Sequence, residues 1–458
     1  MNMSEKIVEI KKKLGFSTFT FGGGIHPDDS KEATCKKPII DLPPSEEMVF
    51  PLSQHIGAPA IPCVAVGDRV LMGQKIAEAG GFVSAHIHSS VSGEVIAIEP
   101  RMHHSGVKMN AIVIKNDGLD EMSPDIKPRD WRKLSPKEIV DAVREAGLVG
   151  MGGATFPTHV KLSPPPDKKI QYIIINGAEC EPYLTSDHRA MLETPEQIIE
   201  GLKILMKVFG LDEGYIAIEN NKPDAIALMK EWASREGNEG IHIVKVKTKY
   251  PQGSEKHLIK AVTGRSVPPG KLPMDVGCVV DNIDTCAAIA RTFMYGFPVI
   301  MRIVTVSGDC IENPSNFRIR VGTNVEDAIK KCGGFGRPAA KVILGGPMMG
   351  ISVPDTDIPI VKGTSGILGF SEEMIPAKTR QNCLRCGKCV EGCPMNLLPN
   401  QIHEAVKAGD LERMKELNVM DCIQCGSCAY VCPAEQNPLQ QVRTARAKVT
   451  KAAQEAKK

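Results

Sequence analysis

Eight of the fifteen cysteines stand at spacings that suit metal binding. They form two copies of the run C-x2-C-x2-C-x3-C-P, displaced by 39 residues along the chain. Two intervening residues let successive thiolates point at one site without straining the backbone. Zinc is the alternative, but zinc sites usually combine two separated C-x2-C pairs. Three cysteines at this interval, then a fourth followed by proline, favour an iron–sulfur cluster.

The repeat predicts two [4Fe–4S] clusters with crossed ligands. Each run matches the bacterial ferredoxin pattern, in which the fourth cysteine of one run ligates the cluster of the other. Crossing holds the two halves side by side, which suits electron transfer between the clusters. The predicted ligands of cluster 1 are Cys383, Cys386, Cys389 and Cys432. The predicted ligands of cluster 2 are Cys422, Cys425, Cys428 and Cys393.

Composition excludes several classes of protein. The 458 residues carry 56 Lys+Arg and 54 Asp+Glu, a net charge of +2, so no global field points to nucleic acid. No apolar run approaches the roughly 18 residues of a membrane helix, and the first residues lack a signal-peptide core. We therefore expect no membrane span and a reducing compartment. We expect buried, unreactive thiols at the other cysteines, which are Cys35, Cys63, Cys180, Cys278, Cys286, Cys310 and Cys332.

A glycine-rich stretch from Gly150 to Thr158 could cradle a phosphate. Its glycines would let backbone N–H groups approach an anion, and Lys161 adds a nearby positive charge. It is not a Rossmann fingerprint, because a helix pattern rather than a strand precedes it. It is not a Walker loop, because no Gly-Lys-Ser/Thr follows. On this pattern alone, a structural turn and a nucleotide site both remain open.

Polar residues follow a buried strand pattern, Tyr172–Ile175. They are Asn176, Glu179 and Glu181. Open α/β sheets bind ligands at the carboxyl ends of their strands, where a carboxylate commonly accepts a ribose hydroxyl. The alternative is a solvated turn at the strand end.

The elements that must position these residues fall into four folded units. Residues 35–118 alternate apolar and polar residues between Gly-Asp turns, which predicts a β-rich domain. Residues 137–300 alternate helix and strand patterns, which predicts an α/β core with a parallel sheet. Residues 301–371 predict a compact α+β module, and residues 372–442 hold the cysteine repeat. The remainder is an N-terminal segment (1–34), a linker (119–136) and a basic tail (443–458), predicted as a solvated helix or a frayed end.

Four motifs in the middle of the chain resemble the FMN- and NADH-binding subunit of respiratory complex I and occur in the same order. They are the glycine-rich loop, the strand end Asn176–Pro182, Gly253-Ser254-Glu255 and Asp281–Thr285. The resemblance implies that Phe156 stacks on the NADH base and that Glu181 and Glu255 bind NADH hydroxyl or amide groups. The residues implied to hold FMN without a covalent bond are Gly150, Gly152, Gly153, Lys161, Asn176, Glu179, Gly253, Asn282 and Thr285.

Three positions depart from the motifs of that family. Ala178 stands where the family has an acid, Ser254 where it has a glutamate and Asp281 where it has an asparagine. These departures alter individual flavin contacts but leave the location of the site unchanged.

The domain order over the whole chain resembles the RnfC family, which belongs to the Rnf ferredoxin:NAD⁺ oxidoreductase complex. Phe21–Pro27 opens the pattern, and Val66–Ala77 with Ser89–Gly93 resembles a biotinyl/lipoyl barrel-sandwich without the lysine motif that carries the prosthetic group. Residues 301–355 resemble a soluble-ligand-binding β-grasp domain. The resemblance implies a multidomain α/β fold. Its units are a barrel-sandwich β domain, an α/β flavin/NADH-binding domain, a β-grasp domain and an α-helical two-cluster ferredoxin-like domain.

The same resemblance implies a peripheral electron-transfer subunit of a membrane-bound, ion-translocating ferredoxin:NAD⁺ oxidoreductase. Electrons would pass between the clusters, FMN and NAD(H), with the flavin rather than a catalytic side chain exchanging the hydride. Membrane-embedded and flavin or iron–sulfur partner subunits would connect the chain indirectly to ferredoxin and drive Na⁺ or H⁺ transport. The chain would lie on the cytoplasmic side of the cell membrane, with no nucleic-acid partner.

Two other functions stay open at this point. One is a soluble NADH-dependent flavin and iron–sulfur reductase, similar to a cobalamin reductase. The other is a pure electron relay whose flavin site is vestigial.

Overall fold

The computed structural model describes residues 18–375 and 381–456. The first part of the predicted N-terminal segment, residues 376–380 of the cluster domain and the last two residues of the tail lie outside that description. None of the helices in the described part is both long and apolar enough to cross a bilayer.

Two small antiparallel sheets form the barrel-sandwich, as the sequence predicts. The strands before residue 120 are β1 (Ile39–Asp41), β2 (Glu47–Pro51), β3 (Ile61–Pro62), β4 (Arg69–Val70), β5 (Lys75–Glu78), β6 (Ile87–His88), β7 (Gly93–Met102) and β8 (Lys108–Asn116). One sheet has the order β2-β8-β7-β4 and the other β3-β5-β6. Alternating residues such as Met48, Phe50 and Ile76 are fully buried between them.

Strand β1 departs from the predicted domain boundary at residue 35. It pairs in parallel with a strand of the β-grasp domain, with Ile39 opposite Asn316 and Asp41 opposite Arg318. A three-residue strand carries too little pattern to indicate which sheet it joins. Residues 39–41 therefore belong to the third folded unit rather than to the barrel-sandwich.

A four-stranded parallel sheet forms the core of the second unit. Its strands are β9 (Tyr172–Gly177), β10 (Gly214–Glu219), β11 (Ile241–Val246) and β12 (Cys278–Asn282), in the order β11-β10-β9-β12. The winding direction reverses between β9 and β12, which creates a crevice at their carboxyl ends. The helices of this unit are Pro136–Glu145, Thr158–Lys161, Ser186–Glu193, Pro195–Phe209, Pro223–Ala233, Glu255–Thr263 and Ile283–Met294.

A mixed sheet with one helix forms the β-grasp domain. Its strands are β13 (Met301–Ser307), β14 (Ser315–Arg320), β15 (Lys341–Leu344), β16 (Ile351–Val353) and β17 (Gly366–Phe370), and its helix is Val325–Lys331. Together with β1 they form a sheet of order β1-β14-β13-β17-β15-β16. Asn324 begins the helix by accepting a bond from the Glu326 backbone N–H, and Val325 and Ile329 anchor the helix in the core.

Four short helices and one long helix form the described part of the cluster domain. They are Lys388–Glu391, Pro399–Ala408, Leu411–Glu416, Ser427–Tyr430 and Pro438–Glu455. The last helix corrects the prediction of a separate solvated tail, because Val442, Ala445 and Val449 are buried in the core of this domain. The predicted boundary at residue 442 therefore cuts through a helix, and Arg446 of this helix donates to the carbonyl of Cys422 at 2.8 Å.

Candidate cofactor sites

The crevice between β9 and β12 carries two of the predicted site residues. Asn176 and Asn282 are opposite each other at the ends of these strands. Asn282 also begins the helix Ile283–Met294, since its side-chain oxygen accepts bonds from the backbone N–H groups of Asp284 (2.8 Å) and Thr285 (3.4 Å). The amino end of a helix favours an anion. The crevice therefore has a helix terminus beside it that suits a phosphate.

The glycine-rich loop lies against the start of that helix. Met151 donates its backbone N–H to Thr285 Oγ1 at 2.9 Å, and Gly150 donates to the carbonyl of Phe156 at 2.8 Å. A Cβ placed on Gly152 would stand 2.8 Å from the side chain of Asn282, so only glycine allows this approach. The loop therefore forms a cradle of exposed backbone next to the crevice, where the structure brings Gly150, Gly152, Asn282 and Thr285 together.

The strand-end residues hold the loops around the crevice. Asn176 donates its amide to the carbonyl of Gly253 at 2.7 Å and accepts the N–H of Ala178 at 3.1 Å. Glu179 has a left-handed backbone with φ of 41°. Its carboxylate accepts the backbone N–H of Asp187 at 2.7 Å, in the first turn of the helix Ser186–Glu193. This carboxylate is thus already bound within the protein.

Lys161 supplies a partly buried positive charge beside the crevice. Its ammonium group donates to the carbonyl of Val280 at 2.7 Å and lies 3.4 Å from Asp281 and 3.6 Å from Glu255. Burial by itself lowers the pKa of Lys161, but the two carboxylates raise it above its ordinary value. Lys161 is therefore charged at neutral pH. The departure to Asp281 has a physical consequence here, because an asparagine would leave Lys161 with one fewer anion.

Glu181 lies where the flavin domain, the β-grasp domain and the cluster domain meet. Its Oε2 accepts the backbone N–H of Met348 at 2.9 Å, while Oε1 has only a 3.4 Å contact with the hydroxyl of Tyr250. Burial raises the pKa of Glu181 to about 7. One oxygen is therefore fixed by the protein and the other keeps capacity to accept a further hydrogen bond.

Phe156 and Gly153 lie on the open side of the glycine-rich loop, where Gly152 is also exposed. Phe156 ends the glycine-rich loop with its ring partly exposed, and Gly153 is exposed. A Cβ on Gly153 would meet no atom of the described residues within 4 Å. Both residues thus border free space at the mouth of the crevice.

The eight clustered cysteines line two separate cavities. One cavity is lined by Cys383, Cys386, Cys389 and Cys432. The other is lined by Cys393, Cys422, Cys425 and Cys428. Each set contains three cysteines of one run and the fourth of the other, which is the crossed grouping predicted from the sequence. Four thiols around one cavity fit the ligand set of a [4Fe–4S] cluster.

The backbone repeats with the sequence in this domain. Left-handed conformations occur at Arg385, Gly387 and Asn396 and recur at Gln424, Gly426 and Glu435, each 39 residues later. Such conformations are costly outside glycine, so their recurrence shows that both runs adopt the same turn around their cavities.

The cavity of Cys425, predicted for cluster 2, lies against the flavin domain. The hydroxyl of Tyr250 donates to the carbonyl of Cys425 at 2.7 Å, and His257 Nε2 donates to the carbonyl of Pro394 at 2.9 Å. Tyr250 is fully buried in this contact, whereas Cys383 and Cys386 of the other cavity are exposed. One cavity therefore faces the flavin domain and the other faces outward.

Sequence reasoning missed Lys31, a buried cation that shapes the strand end. Its ammonium group donates to the carbonyls of Glu179 (3.0 Å) and Glu181 (2.9 Å) and to that of Leu184. Sequence reasoning also missed Tyr250. It missed Asp187 as well, whose Oδ2 accepts a hydrogen bond from the side-chain amide of Asn282 at 2.6 Å. A single residue without a motif gives no sequence signal of such a contact.

The prediction of buried thiols holds for only part of the remaining cysteines. Cys278, Cys286, Cys310 and Cys332 are buried. Cys63 is exposed, and Cys35 and Cys180 are partly buried, so the prediction is wrong for these three. Cys63 borders a strand of only two residues, β3, too short for an alternating pattern to indicate its face.

Family models match four successive parts of the chain. They are the RnfC barrel sandwich hybrid domain over residues 19–119, the Nuo51 FMN-binding domain over 143–291, the SLBB domain over 303–352 and a 4Fe-4S dicluster domain over 375–433. These matches confirm the predicted multidomain fold.

Curated relatives match nearly the full length. The C subunit of a proton-translocating ferredoxin:NAD(+) oxidoreductase complex of Clostridium ljungdahlii is 48% identical, over 88% of this chain and 88% of its own. The C subunit of a Na(+)-translocating ferredoxin:NAD(+) oxidoreductase complex of Acetobacterium woodii is 48% identical, over 94% of this chain and 97% of its own. The C subunit of an ion-translocating oxidoreductase complex of Rhodobacter capsulatus is 43% identical, over 88% of this chain and 78% of its own.

Proposed function

The chain belongs to the RnfC family of ion-translocating ferredoxin:NAD(+) oxidoreductase complexes, and from that membership we propose how its residues carry electrons between NAD(H) and the partner subunits. It binds FMN and two [4Fe–4S] clusters and works as a membrane-associated subunit of such a complex. The observation that carries the proposal is the direct contact between the flavin domain and the Cys425 cavity, through Tyr250 and His257.

The flavin, when bound, converts between the two-electron chemistry of NAD(H) and the one-electron chemistry of iron–sulfur clusters. The chain supplies the cradle for it. The amino end of the helix Ile283–Met294 provides the positive potential that a phosphate group needs, and Lys161 adds a cation that it shares with Asp281 and Glu255. The glycines of the loop provide backbone N–H groups without side chains in the way.

The proposed NADH-binding residues are those that keep free surface or free hydrogen-bonding capacity. Phe156 offers an aromatic face at the mouth of the crevice. Glu255 remains 41% exposed although it pairs with Lys161. Glu181 keeps one carboxylate oxygen that the protein does not bind strongly. Hydroxyl and amide groups of NADH are donors that such carboxylates accept.

The two cavities have different partners. The Cys425 cavity faces the flavin domain, and we assign it to the exchange of electrons with that domain. The exposed Cys383 and Cys386 border the other cavity, and we assign that cavity to the exchange with partner subunits. In this arrangement, the cavity that exchanges electrons with the flavin domain lies inside the chain, and the cavity that exchanges electrons with partner subunits lies at its surface. We further assign the chain to the cytoplasmic face of the membrane, where its NAD(H) is available.

Anaerobic purification with flavin extraction and iron and sulfide assays tests this function. We expect about eight irons and about one FMN per chain, and bleaching of the iron–sulfur absorbance when NADH is added. Iron without flavin and without an NADH response would favour the pure relay instead. Co-purification with membrane subunits separates the complex from a free reductase, since a free reductase would retain NADH activity without them.

A further inference from the structure

The glycine-rich loop and the turn at Gly147 that leads into it form one segment, and this extended loop is held from outside the flavin domain at three points. All three belong to the β-grasp domain: Lys362, Gly363 and Arg302. They reach Gly147, Thr155 and Met151 of the loop, respectively. The three contacted residues thus lie at both ends and in the middle of the extended loop, each four residues from the next.

Arg302 holds the middle of the loop. It projects from β13 and is 2% exposed, with its Nη2 donating to the carbonyl of Met151 at 2.9 Å. Its Nη1 forms an ion pair with Asp284, in the first turn of the helix that Asn282 begins. Because Met151 also donates its N–H to Thr285, both backbone groups of this residue are bound. One guanidinium therefore ties the loop to the start of the helix.

Lys362 holds the beginning of the loop. Its ammonium group is completely buried and donates to the carbonyls of Gly147 at 2.7 Å and His86 at 2.6 Å. His86 belongs to the barrel-sandwich, so Lys362 joins three domains at the point where the loop begins. At the other end, a Cβ on Gly363 would lie 2.3 Å from Cγ2 of Thr155, so the side chain of Thr155 packs directly against the backbone of Gly363.

These contacts cost more free energy than a simple domain interface requires. A buried cation loses its hydration, and carbonyl oxygens replace it only in part. Burial lowers the pKa of Lys362 to about 7, in accordance with that cost. Glycine also loses more conformational freedom on ordering than any other residue, so a loop with Gly147, Gly150, Gly152 and Gly153 needs external contacts to stay in one conformation.

We propose that the β-grasp domain is a clamp that sets the glycine-rich loop in its flavin-binding conformation, with Arg302 and Lys362 as positioning residues. The proposal rests on the proposed function, because the loop is clamped for FMN. Neither side chain needs to touch the flavin. Both bind backbone carbonyls of the loop. They thereby hold its N–H groups in the flavin-binding arrangement before FMN binds.

The test compares two variants that each remove one ion pair from Asp284. Arg302→Met also removes the contact with Met151 and a 3.3 Å contact with the carbonyl of Thr364 inside the β-grasp domain. Arg291→Met removes only the 3.0 Å pair between Arg291 and Asp284 and a contact with Gln197. Flavin-free full-length protein is titrated with FMN by fluorescence quenching, and hydrogen exchange of the amides of residues 150–156 is measured before FMN is added. Iron content and thermal unfolding report on the fold.

We expect Arg302→Met to raise the dissociation constant for FMN at least tenfold and to accelerate exchange in the loop. Arg291→Met should change the dissociation constant less than threefold and leave loop exchange unchanged. Arg302→Lys should recover part of the affinity, since one ammonium group can reach Met151 or Asp284 but lacks the fork that binds both. Equal effects of Arg302→Met and Arg291→Met would overturn the clamp, because they would show that both arginines act only by neutralising the charge of Asp284.

Lys362→Met provides a second, independent test if Arg302→Met does not fold. It keeps the side-chain volume but removes the donor to Gly147 and His86, so exchange should accelerate at the beginning of the loop. Unchanged loop exchange and FMN affinity in this variant would also overturn the clamp. Failure of the proposed function gives a different result: the wild-type chain would bind no FMN, while loop exchange would still distinguish the variants.

Discussion

Substitution of Gly152 by alanine tests the cradle directly. The new Cβ would stand 2.8 Å from the Cβ and Nδ2 of Asn282, well inside the 3.4 Å at which ordinary contacts begin. Asn282 cannot turn aside freely, because it caps its helix through Asp284 and donates to Asp187 at 2.6 Å. The variant must therefore either displace the loop or break the cap.

The two outcomes have similar costs. Loss of a helix cap costs about 0.5–2 kcal/mol, and overpacking costs about 1–3 kcal/mol. If the flavin-free loop relaxes and only the bound conformation bears a cost of about 1–3 kcal/mol, the dissociation constant for FMN rises about 5- to 150-fold. The assay is a fluorescence titration of flavin-free protein with FMN.

Gly153→Ala is the structural control for this variant. Its Cβ would meet no described atom within 4 Å, so thermal unfolding of the flavin-free chain should match the wild type. Wild-type FMN affinity in Gly152→Ala would refute the reasoning, because the loop could then not be the cradle that contacts the flavin.

Three further results are expected. Glu181→Gln should raise the KM for NADH without loss of iron, since the amide keeps an acceptor for Met348 but loses the negative charge; unchanged kinetics would remove Glu181 from the NADH site. Because burial raises the pKa of Glu181 to about 7, this side chain loses its negative charge as the pH falls through 7. The affinity of the wild type for NADH should therefore weaken below that pH, while Glu181→Gln should show no such pH dependence. Tyr250→Phe removes the donor to the buried carbonyl of Cys425 and so loosens the contact between the flavin domain and the cluster domain. In stopped-flow spectroscopy, NADH should then reduce the clusters more slowly while it reduces the flavin at the wild-type rate. A wild-type rate of cluster reduction would show that this contact does not control the transfer.

The cysteine repeat was the most predictable part of the molecule. Ligand spacing is a local property of a tight turn, so the grouping of Cys393 with Cys422, Cys425 and Cys428 follows from the run itself. The strand end at Asn176 was predictable for a similar reason, because a buried strand and the polar residues after it are adjacent in sequence. The helix Pro136–Glu145 shows its start in Ser135 and Glu138, which form a capping box.

The contacts between domains were not predictable from the sequence. Lys31 is 148 residues from Glu179, Tyr250 is 175 residues from Cys425, and Arg302 is 151 residues from Met151. A single lysine, tyrosine or arginine has no periodicity and no neighbouring motif, so its partner depends on how separate domains pack. For the same reason the sequence could not indicate which cluster cavity faces the flavin domain.

The order of the two clusters is the central claim, and rapid-freeze electron paramagnetic resonance after mixing with NADH tests it most directly. Cys428→Ala disables the cavity that faces the flavin domain, and Cys386→Ala is the matched variant in the outward cavity. We predict that NADH still reduces the remaining cluster in Cys386→Ala but no longer reduces the remaining cluster in Cys428→Ala. Reduction of the outward cluster at the wild-type rate in Cys428→Ala would contradict the account.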